Sequence, residues 1–243
     1  MPGRVIISID FYRKSGIEIY MDKVKKTIHS YFTQPLFMKR FAIMMLGVFF
    51  MGFWLSFLIR ANLGTDPCSF MNLTVARKLG ILFGTWQLIL NTVLFILVIL
   101  FGREHIGLGT IANMVLIGYI ADFFGWIWDN TIPEQFFTAL PTRVIVFIVS
   151  FSMFVLSASL YMNANMGVAP YDAVPLMIKK YILKKAPFAI IRICFDYTAI
   201  LVGVLCGGIP NIGIILMALF LGPVITTVGK FLNEKVFHIS QDA

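Results

Sequence analysis

Six apolar runs, at about 41–59, 84–101, 107–128, 144–162, 187–206 and 212–229, dominate this chain, and each approaches the ~20 residues an α-helix needs to cross a bilayer. In hydrocarbon every backbone N–H and C=O must be bonded within the protein, which restricts spanning segments to helices and closed barrels. Runs of this length without alternating polarity select the helix. Charged residues make up 13% of the chain against 59% hydrophobic ones, and they gather at the N-terminus and between the runs. The expected fold class is all-α, a polytopic membrane helix bundle of about six transmembrane helices, with the lipid bilayer as its main partner.

Residues 1–38 read as a cytoplasmic leader. Within it Ile17, Tyr20, Val24, Ile28 and Tyr31 share one helical face opposite Lys23, Lys25 and Lys26, the pattern of an amphipathic helix. Such a helix rests either on the anionic membrane surface or on the protein's own loops. No secretory signal peptide is expected, because the first long apolar run starts near Phe41 and is itself long enough to span. The leader carries Arg4, Arg13, Lys14, Lys23, Lys25, Lys26, Lys39 and Arg40, and the same side receives Arg103, Lys179, Lys180, Lys184, Lys185, Lys230 and Lys235. Arg60, Arg77, Lys78 and Arg143 fall on the other side, so the positive-inside bias puts both termini in the cytoplasm. That bias also accounts for the net charge of +8 without a nucleic-acid partner, since no basic stretch interleaved with aromatic residues accompanies it.

The chain repeats itself. Ala61-Asn62-Leu63-Gly64-Thr65-Asp66-Pro67, after the first run, returns as Ala164-Asn165-Met166-Gly167-Val168-Ala169-Pro170 after the fourth. Gly109 then matches Gly213, Gly118 matches Gly222, and Ser56 precedes the first break as Ser159 precedes the second. The repeats are bounded at about 39–130 and 142–232. Three crossings per repeat make the second copy enter from the opposite side, which predicts two inverted halves related by a pseudo-two-fold axis in the membrane plane. In each half, Gly and Pro interrupt the chain where one helix ends and another begins. The interruption is either a re-entrant, cavity-lining break or an interfacial turn; the first reading brings Asn62 and Asn165 together near the axis.

Polar residues inside apolar runs are the candidate site. Arg192 and Asp196 stand one turn apart in the fifth run, and with a two-residue insertion they align with Gln87 and Asn91 of the second. A charge at that depth is costly and must face the interior with a partner. The Arg192–Asp196 pair is either internal glue or a functional group in which Asp196 exchanges a proton. The candidate substrate-binding residues are Asn62, Asp66, Gln87, Asn91, Asn165, Arg192 and Asp196. Asp66 and Asp172 read as caps or loop residues unless the breaks lie deep, and Asp122 reads as solvated or interfacial.

Cys68, Cys194 and Cys206 are too far apart for a CxxC site, and His29, His105 and His238 lie outside the apolar runs, so no metal or cofactor is expected. No phosphate-binding loop, HExxH or GxSxG motif is present, and enzymatic activity is not expected.

The stretch Leu63-Gly64-Thr65-Asp66-Pro67-Cys68-Ser69-Phe70, followed by Phe83-Gly84-Thr85, Asn91 and the Gly107–Asn113 segment, resembles the bacterial YczE/YyaS/YitT membrane proteins over about Phe41 to Val228. The resemblance implies a bacterial inner-membrane protein and supplies no substrate or site residues. Duplication, breaks and central polar residues together favour a secondary transporter for a small polar or amphiphilic molecule, with proton coupling as one option. The alternative is a non-transporting membrane partner or assembly factor for another protein, and a homo-oligomer or protein partner stays open.

Overall fold

The structure is a computed structural model that describes residues 32–33, 36–232 and 234–235. The amphipathic helix expected within the leader lies outside the described residues, apart from its last position. By contact the chain divides into Met1–Arg40 and Phe41–Ala243. In the first unit the rings of Phe32 and Phe37 lie 5.2 Å apart.

All regular elements among the described residues are helical: α1 (Phe37–Ala61), α2 (Pro67–Leu79), α3 (Phe83–Phe101), α4 (Leu108–Thr131), α5 (Gln135–Thr138), α6 (Leu140–Asn163), α7 (Pro170–Tyr181), α8 (Phe188–Leu205) and α9 (Ile212–Leu232), with a short 3-10 turn at Arg103–His105 between α3 and α4. Helices α1, α3, α4, α6 and α8 are long and apolar enough to cross a membrane. Helix α9 makes a sixth span if its two arms, bent by 53° between Leu219 and Gly222, count as one. Pro223 explains the bend, since it removes one helix hydrogen bond and crowds the preceding turn. This is a multi-pass membrane protein.

The duplicated motif gives duplicated backbone. Asn62 and Asn165 take left-handed φ angles of 48° and 53°, and Gly64 and Gly167 take 144° and 110°. Asn tolerates the left-handed region better than most residues because its short amide bonds locally. Each turn leads to a short helix opened by proline, α2 of 13 residues and α7 of 12. A long helix, a short helix and two further helices thus follow one another twice.

The halves also contact each other reciprocally. The Gly109 N–H donates to the Met166 carbonyl at 2.7 Å, and a Cβ on Gly107 would lie 2.2 Å from that oxygen. On the matching side a Cβ on Gly213 would lie 2.3 Å from the Leu63 carbonyl oxygen. Each break therefore sits on the start of the other half's last helix. Phe70 of α2 packs with Ile200 of α8, while Ala173 and Met177 of α7 pack with Val98 of α3.

One expectation fails. Helix α4 begins against Met166–Gly167, and near its other end Asp129 pairs with Arg60 at the end of α1. Its 24 residues span roughly 36 Å, so the two breaks occupy opposite ends of the bundle and Asn62 does not approach Asn165. The physical reason is that each asparagine terminates a full-length helix, and the chain turns inward only in the following residues. At the first break, Arg143 at the start of α6 donates to the carbonyls of Ala61 (2.6 Å) and Asn62 (2.8 Å), bonding acceptors that α1 leaves free at its C-terminus.

Asp122 also departs from expectation. It is half-buried, and its Oδ2 accepts from the Gly84 N–H at 2.7 Å. Leu82 precedes α3 without a side-chain cap, so a carboxylate from α4 supplies an acceptor that α3's own sequence lacks.

Candidate functional site

The short helices begin inside the bundle and run back toward its ends: Arg77 and Lys78, late in α2, lie with Asn62, and Lys180, late in α7, pairs with Glu104. Asp66 and Cys68 at the start of α2, and Tyr171 and Asp172 at the start of α7, line one cavity of about 520 Å³. Around it stand Gln87 and Asn91 of α3, Asn113 of α4, and Arg192 and Asp196 of α8. Much of the remaining wall is apolar, with Leu55, Ile117, Phe154, Leu176, Phe188 and Leu219 among its residues. This size and mixture are those of a small-molecule site.

Arg192 organises the charged side. Its Nη1 donates to Asp172 Oδ1 at 2.6 Å and its Nε to Asp196 Oδ2 at 3.1 Å. Tyr171 donates its hydroxyl to the other Asp196 oxygen at 3.0 Å, and its ring lies 5.6 Å from the guanidinium carbon. Both oxygens of Asp196, a residue only 3% exposed, are therefore occupied. The i,i+4 pairing expected from sequence is present, with Asp172 as an additional member.

Asp66 is held differently. Its Oδ1 caps α2 by accepting from the Ser69 N–H at 2.9 Å, while its Oδ2 is buried with no hydrogen-bond partner. Gln87 Oε1, one turn from Asn91 on α3, is likewise buried and unpartnered. Buried acceptors are rarely left so, and in a cavity wall a ligand group, a cation or water can satisfy them.

Of the seven candidates, Asp66, Gln87, Asn91, Arg192 and Asp196 come together at this cavity. Asn62 and Asn165 do not. Asn62 lines a separate cavity of about 570 Å³ with Arg77 and Lys78, and its carbonyl accepts from Asn211 Nδ2 at 2.6 Å. Asn165 is exposed at the opposite end. Asp172 is the residue sequence reasoning missed; its signal is the proline two positions earlier, which marks it as first-turn rather than loop.

Residues 38–230 match the model of a family described as a family of unknown function (DUF6198). The chain belongs to this family. The match takes in the whole cavity wall, from Met51 to Thr226. The uncharacterized membrane protein YczE of Bacillus subtilis is 26% identical over 133 residues, 54% of this chain and 59% of that protein. The uncharacterized protein YyaS of the same organism is 24% identical over 135 residues, 55% of this chain and 65% of its own length. The chain thus spans less than two thirds of either relative. An uncharacterized protein of Haemophilus influenzae is 24% identical over 188 residues, covering 77% of this chain and 82% of that protein. The expected likeness to YczE and YyaS is borne out. No solved structure matches the chain.

Proposed function

We propose that this protein is a secondary transporter that moves a small amphiphilic molecule across the bacterial inner membrane by alternating access. Its two halves act as an inverted pair around the cavity, and both termini lie in the cytoplasm. The observation that carries the reading is the uneven closure of matching helix contacts. Near the start of α3, a Cβ on Gly84 would lie 2.7 Å from the Gly118 carbonyl carbon, so α3 and α4 touch backbone to backbone. The matching positions on α8 and α9 are Ala189 and Gly222, which both line the cavity, and a Cβ on Gly222 would meet no atom within 4 Å.

One repeated unit thus holds two conformations at this level, closed between Gly84 of α3 and Gly118 of α4 and open at Gly222 of α9, while Ile200 of α8 packs with Ile214 and Ala218 earlier in α9. Exchange of these conformations between the halves moves the opening from one end of the bundle to the other, which is alternating access around a fixed site. The 53° bend in α9 lies in the parted wall and supplies the element that straightens or bends. Purified protein in liposomes, given an imposed proton gradient and a panel of labelled amphiphiles, is expected to accumulate at least one of them until a protonophore collapses the gradient. Absence of gradient-dependent flux across a broad panel counts decisively against transport.

A further inference from the structure

We infer that the cavity binds a monovalent organic cation with an apolar body, met by the free oxygen of Asp66, an inference that narrows the transport reading above. The charge of the wall sets the sign. Asp66, Asp172 and Asp196 face one basic group, Arg192. The N-termini of α2 and α7 add about half a positive charge each. The total is an excess of about one negative charge, which a single cation or a single proton neutralises.

The bonding identifies the acid. Arg192 is committed through two different nitrogens to Asp172 and Asp196, and Tyr171 holds the second oxygen of Asp196. An anionic ligand has to displace carboxylates to reach this guanidinium. Asp66 Oδ2, Gln87 Oε1 and the Tyr161 hydroxyl are the buried polar atoms of this wall without partners; Asp66 is the carboxylate among them, and Asp66 and Gln87 are 9% and 7% exposed. Among the described residues no three His, Cys, Asp or Glu side chains are grouped as a metal ion requires. The wall is instead largely apolar, with the rings of Phe154 and Phe188 available to an alkylated or aryl cation.

A proton on Asp66 Oδ2 is the competitor. When the cation arrives that proton leaves to the medium, one for one, and the charge of the cavity is unchanged. The ionisable groups facing this site are Cys68 on α2, Tyr161 on α6, Tyr171 and Asp172 on α7, and Arg192 and Asp196 on α8; the linings from α1, α3, α4 and α9 contribute none.

The test is equilibrium binding to the purified full chain in detergent, with tetraphenylphosphonium as the cation and tetraphenylborate as an anion of the same shape. The phosphonium is expected to bind about tenfold or more tightly than the borate, and to weaken as the pH falls from about 8 to about 5. Asp66→Asn is expected to cost about tenfold or more in phosphonium affinity, and Asp66→Ser must match it. Both replacements still cap α2, so an unchanged melting midpoint certifies the fold. Equal binding of the two ions, or unaltered phosphonium affinity in both variants, overturns the inference. Cation binding without flux in liposomes removes the transport reading and leaves the site. Flux of neutral or anionic solutes that survives Asp66→Asn does the reverse.

Discussion

Replacing Arg192 by glutamine removes the basic group that faces the cavity and pairs with two carboxylates. The guanidinium, whose side chain is 23% exposed, holds Asp196 at 5% and Asp172 at 22% side-chain exposure. Removing one partner of a buried ion pair costs ~3–5 kcal/mol, because the charge left behind has lost both water and counter-ion. Here Arg192→Gln strands two carboxylates beside a third, Asp66. For a chain of this size each kcal/mol lowers the melting midpoint by about 2–4 °C, so a fall of roughly 6–20 °C is expected. Asp196→Asn should cost about 1–2 kcal/mol, since Arg192 keeps Asp172 and the amide still accepts one of two hydrogen bonds. The double variant, which copies the neutral Gln87 and Asn91 of the first half, should be more stable than the sum of the single changes implies, by roughly 1–3 kcal/mol. Thermal unfolding of the four proteins in one detergent measures the cycle. An Arg192→Gln midpoint within about 2 °C of the parent, or strictly additive losses, refutes the account of Arg192 as the tie between α7 and α8.

Two further outcomes follow from contacts outside the cavity. Asp122→Ala removes the acceptor that α4 lends to α3 and should cost ~1 kcal/mol, or about 2–4 °C in the midpoint, with Asp122→Asn retaining more of it. The exposed pair between Glu104 and Lys180, at 2.7 Å, supplies a pH signature. Its hydrogen bond holds the Glu104 carboxyl below the usual range and raises the Lys180 ammonium. The small stabilisation is thus present through neutral pH, is lost as acid protonates Glu104 through its lowered pKa, and is lost again as alkali deprotonates Lys180 through its raised one. Midpoints of the parent and Lys180→Ala should differ by a constant amount between about pH 5 and about pH 10, and converge only further out, as the pH falls below the ordinary ~4.3 of a Glu or rises above the ordinary ~10.4 of a Lys.

What the sequence disclosed was local. Apolar runs placed the helices within a few residues, the Asn-x-Gly-x-x-Pro segments marked the turns, and the i,i+4 spacing paired Arg192 with Asp196. Contacts between elements were the illegible part. Nothing in the first turn of α7 says that Asp172 meets a guanidinium 20 residues later, nor that Asp122 bonds Gly84 across 38 positions. Asn62 and Asn165 misled for a related reason. Their left-handed turns are repeated because a helix must stop there, and a repeated stop looks in sequence like a repeated site.

Comparing the halves separates scaffold from chemistry. Positions that shape the backbone carry the same residues in both copies: Asn62 and Asn165, Gly64 and Gly167, Pro67 and Pro170, Gly109 and Gly213. Small and apolar lining positions such as Gly222 and Phe188 also agree with their counterparts Gly118 and Phe83, but the polar positions that line the cavity differ: Asp66 against Ala169, Cys68 against Tyr171, Ser69 against Asp172, Gln87 against Arg192, Asn91 against Asp196. On the transport reading proposed above, a single ligand on a pseudo-two-fold axis meets the two copies in different orientations and can use unlike residues from each. The second half supplies a closed arginine–aspartate network that fixes the wall. The first supplies the unsatisfied carboxylate and amide of the wall, and the proposed cation site therefore centres on Asp66 rather than on the better-paired Asp196.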